Sequence, residues 1–358
     1  LLCSVGTTAT AVMPLLPPDN TCDILIYTHV RVFNQTVRAV INQFGYETFR
    51  KICGTYTRTT CGLSFAWRFL TANMFGNSQI RSHLSQLQRT SRVNHYGVLD
   101  VYGSREQVEN VSTTSVPIAL TAMRHLLGNN SWIHKVFVGI GYYYYNGSDA
   151  WEKLSYAAEN VASKDVDALV IISTVLSVPT RHQCITLPVN AHKSPNEYAP
   201  NMEAALKTAR DGFGRRNLVV YFSLQMGVLL YTLESDYKLP ISALYEPCNS
   251  FAVTDYSQAC QATKAELNLE KSNIAFNSDA STNLLGRKVL HSFDTLEQMT
   301  EKAMLIMETP GRRANFSWML FNVELTDVTR KCLTGGAFER VREFKKFYLT
   351  QTSKNRTG

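Results

Sequence analysis

Eight short runs rich in β-branched and aromatic residues punctuate this chain, and they constrain its fold more than any other feature. They are "LLCSVG" at the start, "DILIYTHVRVF" (23–33), "TCGLSFAW" (60–67), "YGVLDVYG" (96–103), "KVFVGIGYYYY" (135–145), "DALVIISTV" (167–175), "NLVVYFSLQM" (217–226) and "SWMLFNVEL" (317–325). Segments such as "NSQIRSHLSQLQRTSRV", "SVPIALTAMRHLLG", "WEKLSYAAENVASKD", "NMEAALKTARDGFG" and "TLEQMTEKAMLIMETP" lie between them. Their apolar residues recur at i, i+3, i+4, as on one face of a helix. Strands alternating with helices pair in parallel, because each crossover needs a helix-length connection. Eight such units predict an α/β fold, a closed (β/α)8 TIM barrel. The competing architecture is a doubly wound open sheet. No Gly-rich phosphate turn follows any strand, and "GRRNLV" and "GGAF" carry helix-end glycine signals instead. Residues 1–348 are read as one barrel and 349–358 as a polar tail. The stretch Tyr237–Asn277 is the least regular and is read as loop and helix before the seventh helix.

The chain of 358 residues is 45% hydrophobic and 18% charged, enough apolar content for a sizeable core. No run of about 18 apolar residues occurs, so no membrane span is expected. The net charge of +7 is dispersed. The densest basic patch, Arg340–Tyr348, reads as an amphipathic helix with a solvated face, and no nucleic-acid partner is expected. Eight cysteines contain no C-x-x-C pair. That disfavours zinc and suits disulfides in an oxidising compartment, and no metal or cofactor is expected. Six N-x-S/T sequons, at Asn34, Asn110, Asn129, Asn146, Asn315 and Asn355, agree with a secreted, extracellular glycoprotein. "LLCSVGTTATAVMP" has two readings. It is either the end of a signal peptide cleaved after "TATA" or, as preferred, a first strand with Cys3 near Cys22.

The order of these segments resembles glycoside hydrolase family 18, the chitinases and chitinase-like lectins. "CDILIYTHV" is similar to the family's second strand, C-T-H-x-x-Y-A-F. "TCGLSFAW" resembles the third, with Phe65 and Ala66 in place of two glycines and Trp67 retained. "KDVDALVIISTV" resembles the sixth, V-D-x-x-x-x-M-x-Y-D, and the run from "NMEAALK" to "LQMG" resembles the next helix and strand. "ALYEPC", "KVLHSFDTLEQMTEKA" and "FSWMLFNVELTDVTRKC" are similar to its later motifs. The likeness spans nearly the whole chain.

In that family the fourth strand reads D-G-x-D-x-D-x-E. The last Glu protonates the glycosidic oxygen, and the Asp before it holds the substrate's acetamide, which attacks in place of an enzyme carboxylate. On "YGVLDVYG", Gly97 takes the glycine position. The four acids become Tyr96, Leu99, Val101 and Gly103, and the intervening Trp becomes Tyr102. In this register Asp100 faces the helix layer; a one-residue slip would turn it inward. The sixth strand carries Ile172, Thr174 and Val175, so the family's acetamide-binding Tyr is absent. The eighth-strand Trp becomes Phe321. The resemblance therefore implies a pseudoenzyme with no catalytic residues, acting by binding. An N-acetylglucosamine-type glycan at the C-terminal barrel face is the first expectation. A scaffold for contact with an extracellular protein is the second, and an enzyme with relocated chemistry the third.

Candidate ligand-binding residues are Trp67, Tyr102, Tyr142, Gln225, Met226 and Phe321, all placed near strand ends. Glu324 reads as structural. His29, His95, His182 and His291 are scattered and read as surface or satisfied core. Ser223 lies in no nucleophile elbow. The family inserts an α+β module after its seventh strand. The short spacing from Val228 to Ala243 predicts that this insertion is much reduced or absent and the cleft shallow. Leu99, Val101, Ile172 and Phe321 are expected to pack as an apolar plug. A monomer is expected. The resemblance implies Cys3–Cys22 and Cys248–Cys332; proximity adds Cys53–Cys61, and elimination leaves Cys184–Cys260.

Overall fold

The computed structural model describes residues 1–6, 16–71, 74–128, 133–144, 149–178, 184–193, 199–212, 218–233, 244–260, 263–265, 273–277, 289–309, 316–328, 330, 332 and 336–357. Its strands are β1 (Leu2–Val5), β2 (Ile24–Phe33), β3 (Thr36–Ala39), β4 (Thr60–Phe65), β5 (Val93–Gly103), β6 (Val136–Tyr142), β7 (Ala168–Ile171), β8 (Val219–Gln225), β9 (Val228–Leu233), β10 (Cys248–Thr254), β11 (Thr263–Ala265), β12 (Asn273–Asn277), β13 (Val289–Phe293) and β14 (Phe316–Phe321). Eight of them pair in parallel in the order β1-β14-β8-β7-β6-β5-β4-β2, and β1 pairs with β2 to close the ring. All eight runs singled out in the sequence supply a barrel strand. The antiparallel β3 extends β2 into a hairpin above the barrel mouth.

The helices are α1 (Gln43–Cys53), α2 (Ser78–Ser91), α3 (Arg105–Thr113), α4 (Ser115–Leu127), α5 (Ala150–Val161), α6 (Met202–Gly212), α7 (Ser257–Cys260), α8 (Leu296–Met307) and α9 (Glu339–Thr357). Side chains start several of them. Asn77 accepts from the Gln79 and Ile80 amides, and Ser104/Gln107 and Thr295/Gln298 form reciprocal capping boxes on α3 and α8. Each satisfies amides that have no intrahelical partner. Residues assigned to a polar tail continue α9 to Thr357. That helix is not a uniformly solvated basic face. Arg340 is buried, and Lys345 pairs with Asp23 at 2.8 Å.

Alternation along the strands builds two cores. One lies between barrel and helices and includes Tyr96, Val98, Val101, Leu120, Leu154 and Trp318. The other fills the barrel and includes Leu2, Ile26, Leu99, Phe137, Ile172 and Phe321.

The expectation of a much reduced insertion is corrected. Between β8 and α8 the chain forms a five-stranded antiparallel sheet, ordered β10-β9-β13-β12-β11. It begins directly at Val228, within the span read as too short. It continues through the segment read as loop and helix, and takes "VLHSF" as β13. Its core joins Leu229, Tyr231 and Leu290 to Val175, Leu187 and Val189 from the segment after β7. A buried polar knot fastens this sheet to the barrel. Lys302 of α8 donates to both oxygens of Asp294 at 2.8 Å, and Asn190 donates to Oδ2 at 2.9 Å. Arg340 donates to the Met226 and Asp294 carbonyls and lies 3.8 Å from the Tyr256 ring centroid.

The bridges Cys3–Cys22 and Cys53–Cys61 are present, each with a Cα separation of 6.0 Å. The other two expected pairings are corrected: Cys184 bonds Cys248, at a Cα separation of 5.0 Å, and not Cys260. The segment around Ile185 runs antiparallel to Pro247, so the Cys248 amide already donates to the Cys184 carbonyl at 3.0 Å. Cys332 is also disulfide-bonded, but not to Cys248. The Cys260 side chain lies outside the described residues. Among the described residues no helix is long and apolar enough to cross a membrane.

Candidate functional site

At the C-terminal ends of the barrel strands lies a cavity of about 460 Å3. In barrels of this kind that end carries the ligand sites. Its floor is Leu99 and Phe321, both nearly fully buried in one cluster with Ile172, so these three form the expected apolar plug. Trp67, Tyr102 and Tyr143 supply aromatic walls, and His29, Arg68, Asp100 and Asn322 supply the polar ones. The Tyr102 and Tyr143 rings meet edge to face at 5.1 Å between centroids.

The register of β5 explains which side chains arrive. Tyr96 and Val98 face the helices and Leu99 faces inward. Pairing with β6 then shifts between Val98 and Val101, a bulge that interrupts the alternation. Beyond it Asp100 and Tyr102 line the cavity while Val101 faces the helix layer. Two expectations are thereby corrected: Val101 is not part of the plug, and Asp100 is not on the outer face. Gly103 is directed toward α3, where a Cβ would meet the Gln107 side-chain oxygen at 2.8 Å.

His29, read as an isolated surface or core histidine, is also corrected. Its Nε2 is 3.5 Å from Asp100 Oδ2, and its buried Nδ1 has no partner among the described residues. The Trp67 amide donates to Asp100 Oδ1 at 3.4 Å. His29 has φ 57° and Asn322 φ 58°. Non-glycine residues in this left-handed region cost of order 1 kcal/mol and gather where a site over-determines them. Here both border the same cavity.

Burial raises the Asp100 carboxyl pKa, opposed by His29, the Trp67 N–H and Arg68. A carboxyl whose folded pKa is raised contributes most below its unfolded pKa and loses that contribution as pH rises through the folded value. Asp100→Asn is therefore expected to raise the melting temperature at neutral pH relative to the parent and to leave it unchanged under strongly acidic conditions. Thermal scans across pH check both halves.

Of the candidates, Trp67, Tyr102 and Phe321 line the cavity. Tyr142, Gln225 and Met226 do not. Tyr142 and Met226 are buried in the barrel–helix core. Gln225 is buried and accepts from the Gly227 amide and from Asn322 Nδ2. Along β6 the inward positions are Phe137, Gly139 and Gly141, so the tyrosine reaching the mouth is Tyr143; counting by twos from Phe137 finds it. Thr174 is buried and donates to the Val189 carbonyl at 2.7 Å. Glu324 is buried and accepts from the Gly6 amide at 2.8 Å. His95 is satisfied core: it bonds Thr60 and the Lys135 amide, and burial pushes its pKa down to about 3. His291 is buried, and His182 lies outside the described residues. Asn34 and Asn110 are exposed. Asn129, Asn146 and Asn315, and the Asn355 side chain, lie outside the described residues.

The closed (β/α)8 barrel matches the fold of the chitinases and chitinase-like proteins. No family model matches the chain, and no curated protein matches it. Among solved structures it is similar to human YKL-39, a pseudo-chitinase with retained chitooligosaccharide binding, at 14% identity and TM-score 0.66 over 97% of this chain and 98% of that one. It is similar to Ostrinia furnacalis Group IV chitinase at 14% identity and TM-score 0.63, over 97% and 98%. It is also similar to the chitinase-like agglutinin of Robinia pseudoacacia at 12% identity and TM-score 0.60, over 96% and 98%. Likeness at this identity extends to the fold.

Proposed function

We propose that this chain is a secreted, glycosylated, catalytically inactive chitinase-like protein that binds an N-acetylglucosamine-type glycan at its barrel mouth. The observation that carries the reading is the cavity itself: aromatic walls around Trp67, over an apolar floor in which Leu99 stands at one position the resembling hydrolases fill with an acid. Sugars present apolar ring faces that stack on such side chains. Among the described residues lining the cavity Asp100 is the one carboxylate. Glycoside hydrolysis needs an acid and a second group to hold the nucleophile or water, and His29 engages this single carboxylate.

Chitotetraose is expected to bind, with Trp67→Ala weakening it by about tenfold, as loss of a buried aromatic anchor does. Titration calorimetry reads this directly, and equal affinity in the variant would remove the site from the mouth. No turnover of chitin oligomers is expected from about pH 3 to 9, a window spanning carboxylate and histidine chemistry. Gly103→Glu is expected to leave the chain inactive, because position 103 faces Gln107 of α3. A second reading, a scaffold for an extracellular protein, is favoured by the closed apolar floor and by exposed Phe33, Ile41, Phe44 and Phe69.

A further inference from the structure

A ladder of arginines and aromatic rings runs outward from the cavity along the β2–β3 hairpin. Phe69 begins at the cavity edge. The Arg31 guanidinium lies 5.2 Å from the Phe69 ring centroid and 5.3 Å from that of Phe33. Arg38, on the partner strand, lies 5.8 Å from the Phe33 centroid. On the cavity wall Arg68 lies 5.3 Å from the Trp67 centroid and donates to the Tyr143 hydroxyl at 3.4 Å.

Among the described residues none of these three arginines forms an ion pair with a carboxylate. Arg31 Nε has no hydrogen-bond partner there either. Arg38 Nε donates to Thr36 Oγ1 at 3.3 Å, and a guanidinium held over a ring in this way still has further N–H donors to offer a planar anion. Arg68 stands on the cavity wall, and Arg31 and Arg38 stand on the hairpin beyond it, linked to the cavity edge through Phe69 and Phe33. The signs are also divided. The cavity interior holds Asp100, which disfavours an anion, and the positive groups lie at its rim and beyond.

We infer that the ligand is an acidic oligosaccharide, with an uncharged sugar ring seated in the cavity and carboxylate or sulfate groups on neighbouring rings held by Arg68, Arg31 and Arg38. This rests on the proposed glycan site and adds the charge class of its ligand.

Three probes test it by titration calorimetry on the whole chain: a heparin-derived tetrasaccharide, a hyaluronan tetrasaccharide and chitotetraose. At low ionic strength the acidic probes are expected to bind about tenfold tighter than chitotetraose, the advantage shrinking as salt screens exposed charges. Arg38→Gln and Arg31→Gln are expected each to weaken the acidic probes several-fold and to leave chitotetraose unchanged. Arg38 is exposed, so its variant tests the ladder without disturbing packing. Binding of both acidic probes assigns the contact to carboxylate, and binding of the heparin fragment alone assigns it to sulfate. Lys346→Gln on α9, in a separate basic patch, is the control. An equal loss there, or unchanged acidic binding in both arginine variants, would overturn the inference. Arginine-dependent acidic binding without chitotetraose binding would uphold the ladder and reject the neutral-glycan reading. Trp67-dependent chitotetraose binding without an acidic advantage would do the reverse.

Discussion

Lys302→Met is expected to destabilise the fold by about 3–5 kcal/mol, the usual cost of stripping one partner from a buried ion pair. Both side chains are fully buried, and Lys302 Nζ reaches both Asp294 oxygens at 2.8 Å. Methionine replaces the aliphatic stem, so little packing is lost. What remains is a buried carboxylate with Asn190 as its described side-chain donor. Because Asp294 follows β13 and Lys302 lies on α8, the loss should fall on the junction of inserted sheet and barrel. Urea unfolding reads the cost. Lys302→Met combined with Asp294→Leu should recover much of it, since an apolar pair has no charge to strand. A cost below about 1 kcal/mol, typical of an exposed pair, would show that the knot is hydrated.

Leu99→Asp is expected to cost about 3 kcal/mol or more at neutral pH, combining lost burial of a leucine with insertion of a carboxyl. Leu99 is 1% exposed and packs with Ile172 and Phe321 inside the barrel. The new carboxyl would have a folded pKa raised by burial. The native state would then bind more protons than the unfolded chain, and stability would fall as pH rises through that folded pKa. The deficit should therefore be largest at neutral pH and shrink toward acid. Melting temperatures across pH check the sign. A variant as stable as the parent at neutral pH would mean that the floor admits water and that an acid could be accommodated there.

The barrel strands were legible because each combines a strand-length apolar run with flanking turn residues, and because helical periodicity separates them. The inserted sheet was not. "VLLYTL" and "NSFAVT" have strand composition, but short antiparallel strands declare themselves through their partners, and β9 finds β10 and β13 across long separations. The same limit governed the cysteines. Neighbours in sequence, Cys3 with Cys22 and Cys53 with Cys61, bridge as expected, while Cys184 finds Cys248 only because two distant loops run side by side.

At the site, the residue types were readable and their directions were not. Trp67, Tyr102 and Phe321 were chosen as aromatic residues at the ends of barrel strands, and all three line the cavity. The choice of Tyr142 over Tyr143 failed on one residue of register, and Gln225 and Met226 turned into the core. The sequence by itself determined that the chain alternates eight strands with helices, and its resemblance to the chitinases implied that Leu99, Val101 and Gly103 stand at positions those enzymes fill with acids. Only the tertiary structure decided that a bulge after Val98 sends Asp100 inward, that a left-handed backbone brings His29 to it, and that Arg31 and Arg38 join the cavity edge through the Phe69 and Phe33 rings. Alternation is a local property that residue order carries, whereas bulges, strained backbone and cross-strand neighbours are set by the packing of segments far apart in the chain.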